Sequence, residues 1–210
     1  MAGRFISIEG GDGAGKSTQL TVIAGILRVH GIEFVMTREP GGTPLGESLR
    51  ALLLNQTGEI LAKDTELMLM FAARAQHVEA VIKPALARGA WVVSDRFSDA
   101  SFAYQGAQGL SLERIQALSD WVLQGFMPDL TLLFDLPVEQ GFARVNQRGE
   151  QQDRFEQEPL AYKQRVREIY RSRADAEPQR IRIIDSSSNI ESVSQQVEQQ
   201  LSAFIERSVL

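Results

Sequence analysis

The chain has no cysteine, so disulfides, thiolate metal sites and cysteine nucleophiles are all excluded. It has only two histidines, His30 and His77, too few for a histidine-based zinc centre. His30 precedes Gly31 and reads as a helix C-terminal residue. There is no basic excess: Lys and Arg total 22 against 27 Asp and Glu, a net charge of −5. That balance argues against a general nucleic-acid binder. No apolar run approaches the roughly 18 residues of a membrane span, and Met1–Ala2–Gly3–Arg4 opens no apolar signal segment, so a cytoplasmic protein without membrane partners is expected. Repeats and low-complexity linkers are absent. What remains is 210 residues with 43% hydrophobic and 23% charged content, which fits one α/β domain spanning 1–210.

Apolar runs alternate with helical periods along the chain, the pattern of βα units and a parallel sheet. Strands are expected at 4–9, 33–37, 91–94, 130–135 and 181–185. After the first comes Gly10, Gly11, Asp12, Gly13, Ala14, Gly15, Lys16 and Ser17, matching G-x-x-x-x-G-K-[ST]. Leu20, Ile23, Ala24 and Leu27 then form one face of a helix. Glycines let successive N–H groups turn toward phosphate oxygens, and the helix start adds its positive dipole end. Lys16 in such a loop reaches the β- and γ-phosphates, and the Ser17 hydroxyl binds Mg²⁺.

The second strand runs into Arg38–Glu39–Pro40–Gly41–Gly42–Thr43, at the carboxyl edge where ligands bind in parallel sheets. Arg38 reads there as a phosphate ligand or as a surface ion pair with Glu39. A helix starting near Asp64 carries Leu67, Phe71, Arg74 and Val78 on one face. An arginine on that stripe needs a partner. Phe71 and Arg74 form either an aromatic platform beside a hydrogen-bonding fork or a core ring with a structural ion pair. Pro84 is expected to kink or break this helix. Trp91 to Ser94 leads to Asp95–Arg96–Phe97; a strand ending in Asp supports Mg²⁺, but Asp135 and Asp185 end strands too. Ser101, Tyr104 and Gln105 share a helical turn and line a pocket or a surface turn. Ser111 caps a scaffold helix whose Trp121 belongs to a core or an interface. A polar window at about 147–157 suits a lid or a surface loop. The arginines and glutamates of 159–176 read as a solvated face, and the last helix, after Ser186–Asn189, has a plain core stripe.

Taken together, Gly10 to Ser17, Arg38 to Thr43, Phe71–Ala72–Ala73–Arg74, Asp95–Arg96–Phe97 and Tyr104–Gln105–Gly106 resemble thymidylate kinases in order and spacing, over essentially the whole chain. The resemblance implies a three-layer P-loop fold of the nucleoside monophosphate kinase type with a five-stranded parallel sheet. It implies ATP + dTMP → ADP + dTDP with Mg²⁺, usually in a homodimer; another deoxynucleotide or deoxynucleoside kinase is the alternative. On this resemblance Gly10 to Thr18 and Arg144 hold ATP, Arg144 stacking on adenine. Ser17 and Asp95 hold the metal. Phe71 stacks on thymine, Arg74 donates to the base edge, Ser101 and Gln105 fit that edge, and Tyr104 lies below the sugar. Arg38 and Arg96 clamp the dTMP phosphate. Asp12 accepts from the 3′-OH and orients arginines, a role that offsets its electrostatic cost: a carboxylate about 6 Å from a phosphate charge costs about 3 kcal/mol at an effective dielectric near 20. Positions 11–14 lack an arginine, so the lid arrangement applies. Arg154, supported by Arg148, is expected to swing onto the phosphates while Lys16 stays fixed.

Overall fold

The computed structural model describes residues 3–54, 60–147 and 153–209. Five strands form one sheet: β1 (Phe5–Gly10), β2 (Phe34–Arg38), β3 (Trp91–Asp95), β4 (Leu130–Asp135) and β5 (Ile181–Asp185). All neighbours are parallel, in the order β2-β3-β1-β4-β5. Each expected strand is present within a residue of its expected bounds. The strand order reverses beside β1, so the loop after β1 opens into the crevice between β3 and β4, the usual ligand position of such sheets.

Alternation along β1 divides the core. Ile6 and Ile8 face one layer, where α1 (Lys16–Val29) supplies Ile23 and Leu27, and α9 (Ile190–Val209) supplies Val197, Leu201 and Ile205. Phe5 faces the other side, against Val78, Ile82 and Phe97. Ser7 shares that side with Thr131, their hydroxyls 2.7 Å apart. The second layer comprises α3 (Lys63–His77), α5 (Ser98–Ala107), α6 (Leu112–Leu123) and α8 (Leu160–Ala176), with α8 packed on α5 and on β4. Three short helices complete the set: α2 (Pro44–Leu54), α4 (Lys83–Ala87) and α7 (Val138–Gln147).

Local signals account for most boundaries. Ser111 Oγ accepts from Arg114 N at the start of α6, and Asn189 Oδ1 from Ser192 N at the start of α9. His30 forms the C-cap of α1. Pro84 neither breaks nor ends the helix. The chain passes from α3 into α4 through a π-helical turn at Val78–Ile82, and Pro84 falls in the first turn of α4. A wider turn relieves the clash that proline makes with the carbonyl four residues back. Trp121 is 77% exposed, so it is not a core residue. The charged helix α8 is also more than a solvated face: Arg173, with Arg180, pairs the buried Asp99, and Arg167 pairs Asp135.

Candidate active site

The loop after β1 curls as its glycines require. Gly13 sits at φ 75°, and a side chain there would collide with the carbonyl of Gly141, so loop and α7 meet backbone to backbone. Gly15 is left-handed and starts α1. Lys16 Nζ donates to the carbonyls of Gly10 and Gly11, 3.0 Å each, and is thereby folded over the loop. Burial, followed by the Arg96 charge, lowers its pKa to about 8. Ser17 and Thr18 are exposed at the first turn of α1. Arg144 on α7 reaches the carbonyls of Gly13 (3.4 Å) and Ser186 (3.2 Å). It lines an open cleft with Gly13, Gly15, Thr18 and Asn189.

Three strands end in aspartate, and the structure separates them. Asp135 is held by Arg167 (2.7 and 2.9 Å) and Arg171 (2.7 Å). Asp185 accepts from the Ser187 amide and hydroxyl. Asp95 has a buried Oδ1 without a partner, an unusual condition for a carboxylate. It lies near enough to Lys16 to favour that side chain's charged form. Among the described residues no group of three or more His, Asp or Glu could hold a metal ion. A spare oxygen on Asp95 and an exposed Ser17 hydroxyl are nevertheless the kind of donors that suit Mg²⁺, which takes oxygen ligands and fills most of its shell with phosphates and water.

Across the loop lies a second cavity. Its wall includes Asp12, Arg74, Arg96, Ser101, Tyr104 and Gln105, six residues expected from the sequence. Arg96 adopts φ 73°, a strained position for a non-glycine residue. That turn aims its guanidinium back under the loop, where it donates to Gly10 O (3.1 Å), Tyr170 OH (3.2 Å), Tyr104 OH (2.9 Å) and Asp12 Oδ1 (3.4 Å). Burial opposes ionisation of Asp12, but Arg96, Lys16 and Lys163 outweigh it and hold the carboxyl below the usual range. Arg74 has the partners its burial demands. It donates to Glu39 Oε2 (2.7 Å), Ser101 Oγ (3.0 Å) and Phe97 O (3.0 Å). His77 Nδ1 donates to the other Glu39 oxygen (2.9 Å), and Thr37 Oγ1 lies 2.7 Å from His77 Nε2. The fork is thus locked from behind by a Thr37–His77–Glu39 chain whose histidine and glutamate are buried.

Two expected residues lie elsewhere. Phe71 is buried in a cluster with Leu67, Phe102, Leu110 and Ile115, its ring 4.6 Å beneath the Arg74 guanidinium, and it does not line the cavity. Met70, four residues before Arg74, lines it instead, because a spacing of four keeps two side chains on one helix face more closely than three does. Arg38 is half exposed, pairs Glu47 at 2.8 Å rather than Glu39, and does not line the cavity. Arg50 lines the cavity, fixed by a 2.9 Å bond to Pro40 O.

Arg154 Nη2 binds Glu66 Oε2 at 2.5 Å, and its guanidinium lies 4.5 Å over the Phe155 ring. Asp153 Oδ1 caps this turn by accepting from the amides of Phe155 and Glu156. Arg148 and five residues of the expected lid, 148–152, lie outside the described residues. Periodicity alone missed Lys163 and Tyr170, both hidden in the charge run of α8. Lys163 Nζ lies 3.6 Å from Asp12 Oδ2 and donates to Phe155 O and Glu156 O, tying this turn to the P-loop.

Known proteins place this geometry. The family profile described as thymidylate kinase matches residues 8–197. A thymidylate kinase of Pseudomonas putida (strain GB-1) is 53% identical over 208 residues, covering 99% of both chains. One from Alkalilimnicola ehrlichii is 53% identical over 206 residues, 98% of this chain and 95% of its own. The crystal structure of thymidylate kinase from Ehrlichia chaffeensis matches with a TM-score of 0.77 at 32% identity, over 96% of this chain and 99% of that one. With a profile match over most of its length and full-length relatives at this identity, the chain belongs to the thymidylate kinase family.

Proposed function

We propose that this protein transfers the γ-phosphoryl group of ATP to dTMP, giving dTDP and ADP. The observation that carries the reading is a cavity lined by Arg74, Ser101 and Gln105 together with Asp12 and Arg96, the two charges that also act on the P-loop lysine. The acceptor is already a phosphate oxyanion, so no protein nucleophile or strong base is needed. Catalysis then rests on positioning and on charge stabilisation.

ATP lies with its phosphates over Gly10 to Thr18 and its adenine toward Arg144. Lys16, folded onto loop carbonyls, exchanges those acceptors for β- and γ-oxygens. A phosphate's charge beside it raises its pKa from about 8, so it is protonated in the complex. Ser17 and Asp95 would hold Mg²⁺, which when bound neutralises charge on the phosphate oxygens. dTMP occupies the second cavity. Arg74 and Gln105 meet the base edge, Met70 flanks the ring, Tyr104 lies under the sugar, and Asp12 accepts from the 3′-OH. Arg96 and Arg50 take the phosphate. Arg154 leaves Glu66 and reaches the transferring group as the 147–157 segment closes, which also excludes water. The enzyme works as a cytoplasmic homodimer on this reading. Exposed Trp121 on α6 and Met68 on α3 support a subunit contact there. No helix of the described residues is long and apolar enough to cross a membrane.

The test is coupled ADP release with ATP and Mg²⁺, adding dTMP, dUMP, dCMP, dGMP, AMP or thymidine separately. Turnover with dTMP well above the others is expected. Preference for another monophosphate would overturn the base pocket, and hydrolysis indifferent to every acceptor would overturn the kinase reading.

A further inference from the structure

Glu66 lies on α3, 1% exposed, with no role in the chemistry above. Its two oxygens face different parts of the site. Oε1 accepts from Gln105 Nε2 (2.8 Å) and from Gln108 Nε2 (2.9 Å). Oε2 accepts from Arg154. A carboxylate only accepts, so it fixes the amide of Gln105 with nitrogen toward Glu66 and oxygen as the end left for the cavity that Gln105 lines. An amide oxygen accepts from the N3–H of a thymine or uracil ring and is opposed by the unprotonated N3 of cytosine. The reversed amide has the opposite preference. Arg74, locked by Glu39 and Ser101, presents only donors beside it, which suits a carbonyl at C4 and opposes an amino group there.

We propose that Glu66 is a positioning residue for base selectivity. By holding the Gln105 amide oxygen-inward, it makes the pocket accept a base with an N3 donor and reject cytosine. The two oxygens of Glu66 divide their work, so departure of Arg154 from Oε2 leaves the Oε1 bonds, and the reading of the base, in place. This rests on the dTMP reading above.

The experiment measures kcat/KM for dTMP, dUMP and dCMP in the wild type, Glu66→Gln, Glu66→Asp, Gln105→Leu and the Gln105→Leu/Glu66→Gln pair. A glutamine at 66 offers both a donor and an acceptor and lets the amide turn, so the preference for dTMP over dCMP is expected to fall by about tenfold or more, the scale set by one hydrogen-bonding group that discriminates. Aspartate withdraws the carboxylate by about 1.5 Å, beyond normal hydrogen-bond length, and is expected to lose about threefold or more. The preference for dTMP over dUMP, which share the same edge, stays within about twofold in both. In the Gln105→Leu background, Glu66→Gln changes the dTMP/dCMP ratio no further, since its effect passes through that amide. An unchanged dTMP/dCMP ratio in a folded Glu66 variant, equal losses for all three nucleotides, or an added loss without Gln105 would each overturn the proposal while leaving the dTMP kinase reading intact. A wild type that does not turn over dTMP would remove both.

Discussion

Glu9 lies on β1 immediately before the P-loop and is fully buried. It accepts from Phe97 N (2.7 Å) and Tyr170 OH (2.7 Å). Burial and then the nearby Asp99 charge raise its pKa from 4.5 to about 7, against the smaller opposing pull of Arg96. The native state therefore favours neutral Glu9. Between pH 4.5 and 7 it binds more protons at this site than the unfolded chain does, so stability is lost as pH rises through that window. A shift from 4.5 to about 7, at about 1.4 kcal/mol per unit, corresponds to about 3 kcal/mol once pH exceeds 7.

Glu9→Gln removes that titration and keeps the shape. Its carbonyl accepts from Phe97 N, and its amino group donates to the Tyr170 hydroxyl, which can reverse its own proton. The stability difference between variant and wild type should be near zero at pH 4.5 and grow to about 3 kcal/mol in favour of the variant by pH 8. For a domain of this length that is roughly 10 °C in Tm. Thermal and urea unfolding of the ligand-free protein, followed by circular dichroism at half-unit steps from pH 4.5 to 8.5, measures it. A difference that stays flat across this range, or runs the other way, would refute the assignment of an uncompensated carboxyl beneath the P-loop.

The remaining predictions concern the site. Arg154→Ala should lower kcat roughly 10³-fold with a modest change in KM for dTMP, by analogy with other phosphate-clamping arginines; a loss below tenfold in steady-state assays would remove Arg154 from the transition state. Arg50→Ala should raise KM for dTMP by roughly 10- to 100-fold, the worth of one charge-assisted bond, whereas Arg38→Ala stays within about threefold. The reverse order would restore Arg38 to the phosphate. Phe71→Ala should destabilise the fold by about 3–5 kcal/mol in urea unfolding, as deletion of a buried ring does. Met70→Ala should instead be felt mainly in KM for dTMP, and equal kinetic effects from the two would mean that both side chains face the base.

The fold was legible because its signals are local. Five apolar runs bounded by turns, a glycine loop and a helix stripe require only near neighbours to be read, and the sheet follows from their alternation. The expected break at Pro84 is absent for the same reason. Its clash is local and certain, but the π turn that absorbs it depends on Val78 and Ile82 being wanted in the core on either side. In the candidate site, motif residues of the P-loop, the end of β3 and the helices α3, α5 and α7 line the two cavities. The differences fell at single-residue choices along a helix or strand. Phe71 against Met70 differs by 100° of helix, and an aromatic ring draws attention that a methionine does not. Arg38 stands at the right strand end, but its side chain takes Glu47, and the cavity is reached from α2 by Arg50.

What the sequence hid entirely is the set of buried acids behind the visible cations. Glu9, Glu39, Glu66 and Asp99 are each 5% exposed or less, and each lies in a stretch whose pattern assigns an acid to a strand end, a loop or a helix surface. Their partners come from distant segments: Arg74 for Glu39, Arg154 for Glu66, Arg173 and Arg180 for Asp99. Asp99, held by two arginines, has its pKa lowered, whereas Glu9 has no ion pair among the described residues, only a tyrosine and an amide, and its pKa is raised to about 7. That contrast is physical. A buried carboxylate with an arginine keeps its charge, and one without tends to keep its proton. An arginine placed on an apolar stripe, as Arg74 is, announces that such an acid exists somewhere. Only the fold says which one, because the answer is fixed by which strand ends meet at the carboxyl edge of the sheet. Acids that orient Arg74 and Gln105 are therefore as much part of the candidate site as the residues facing the cavity, and substituting them should change which nucleotide is chosen before it changes how fast phosphate moves.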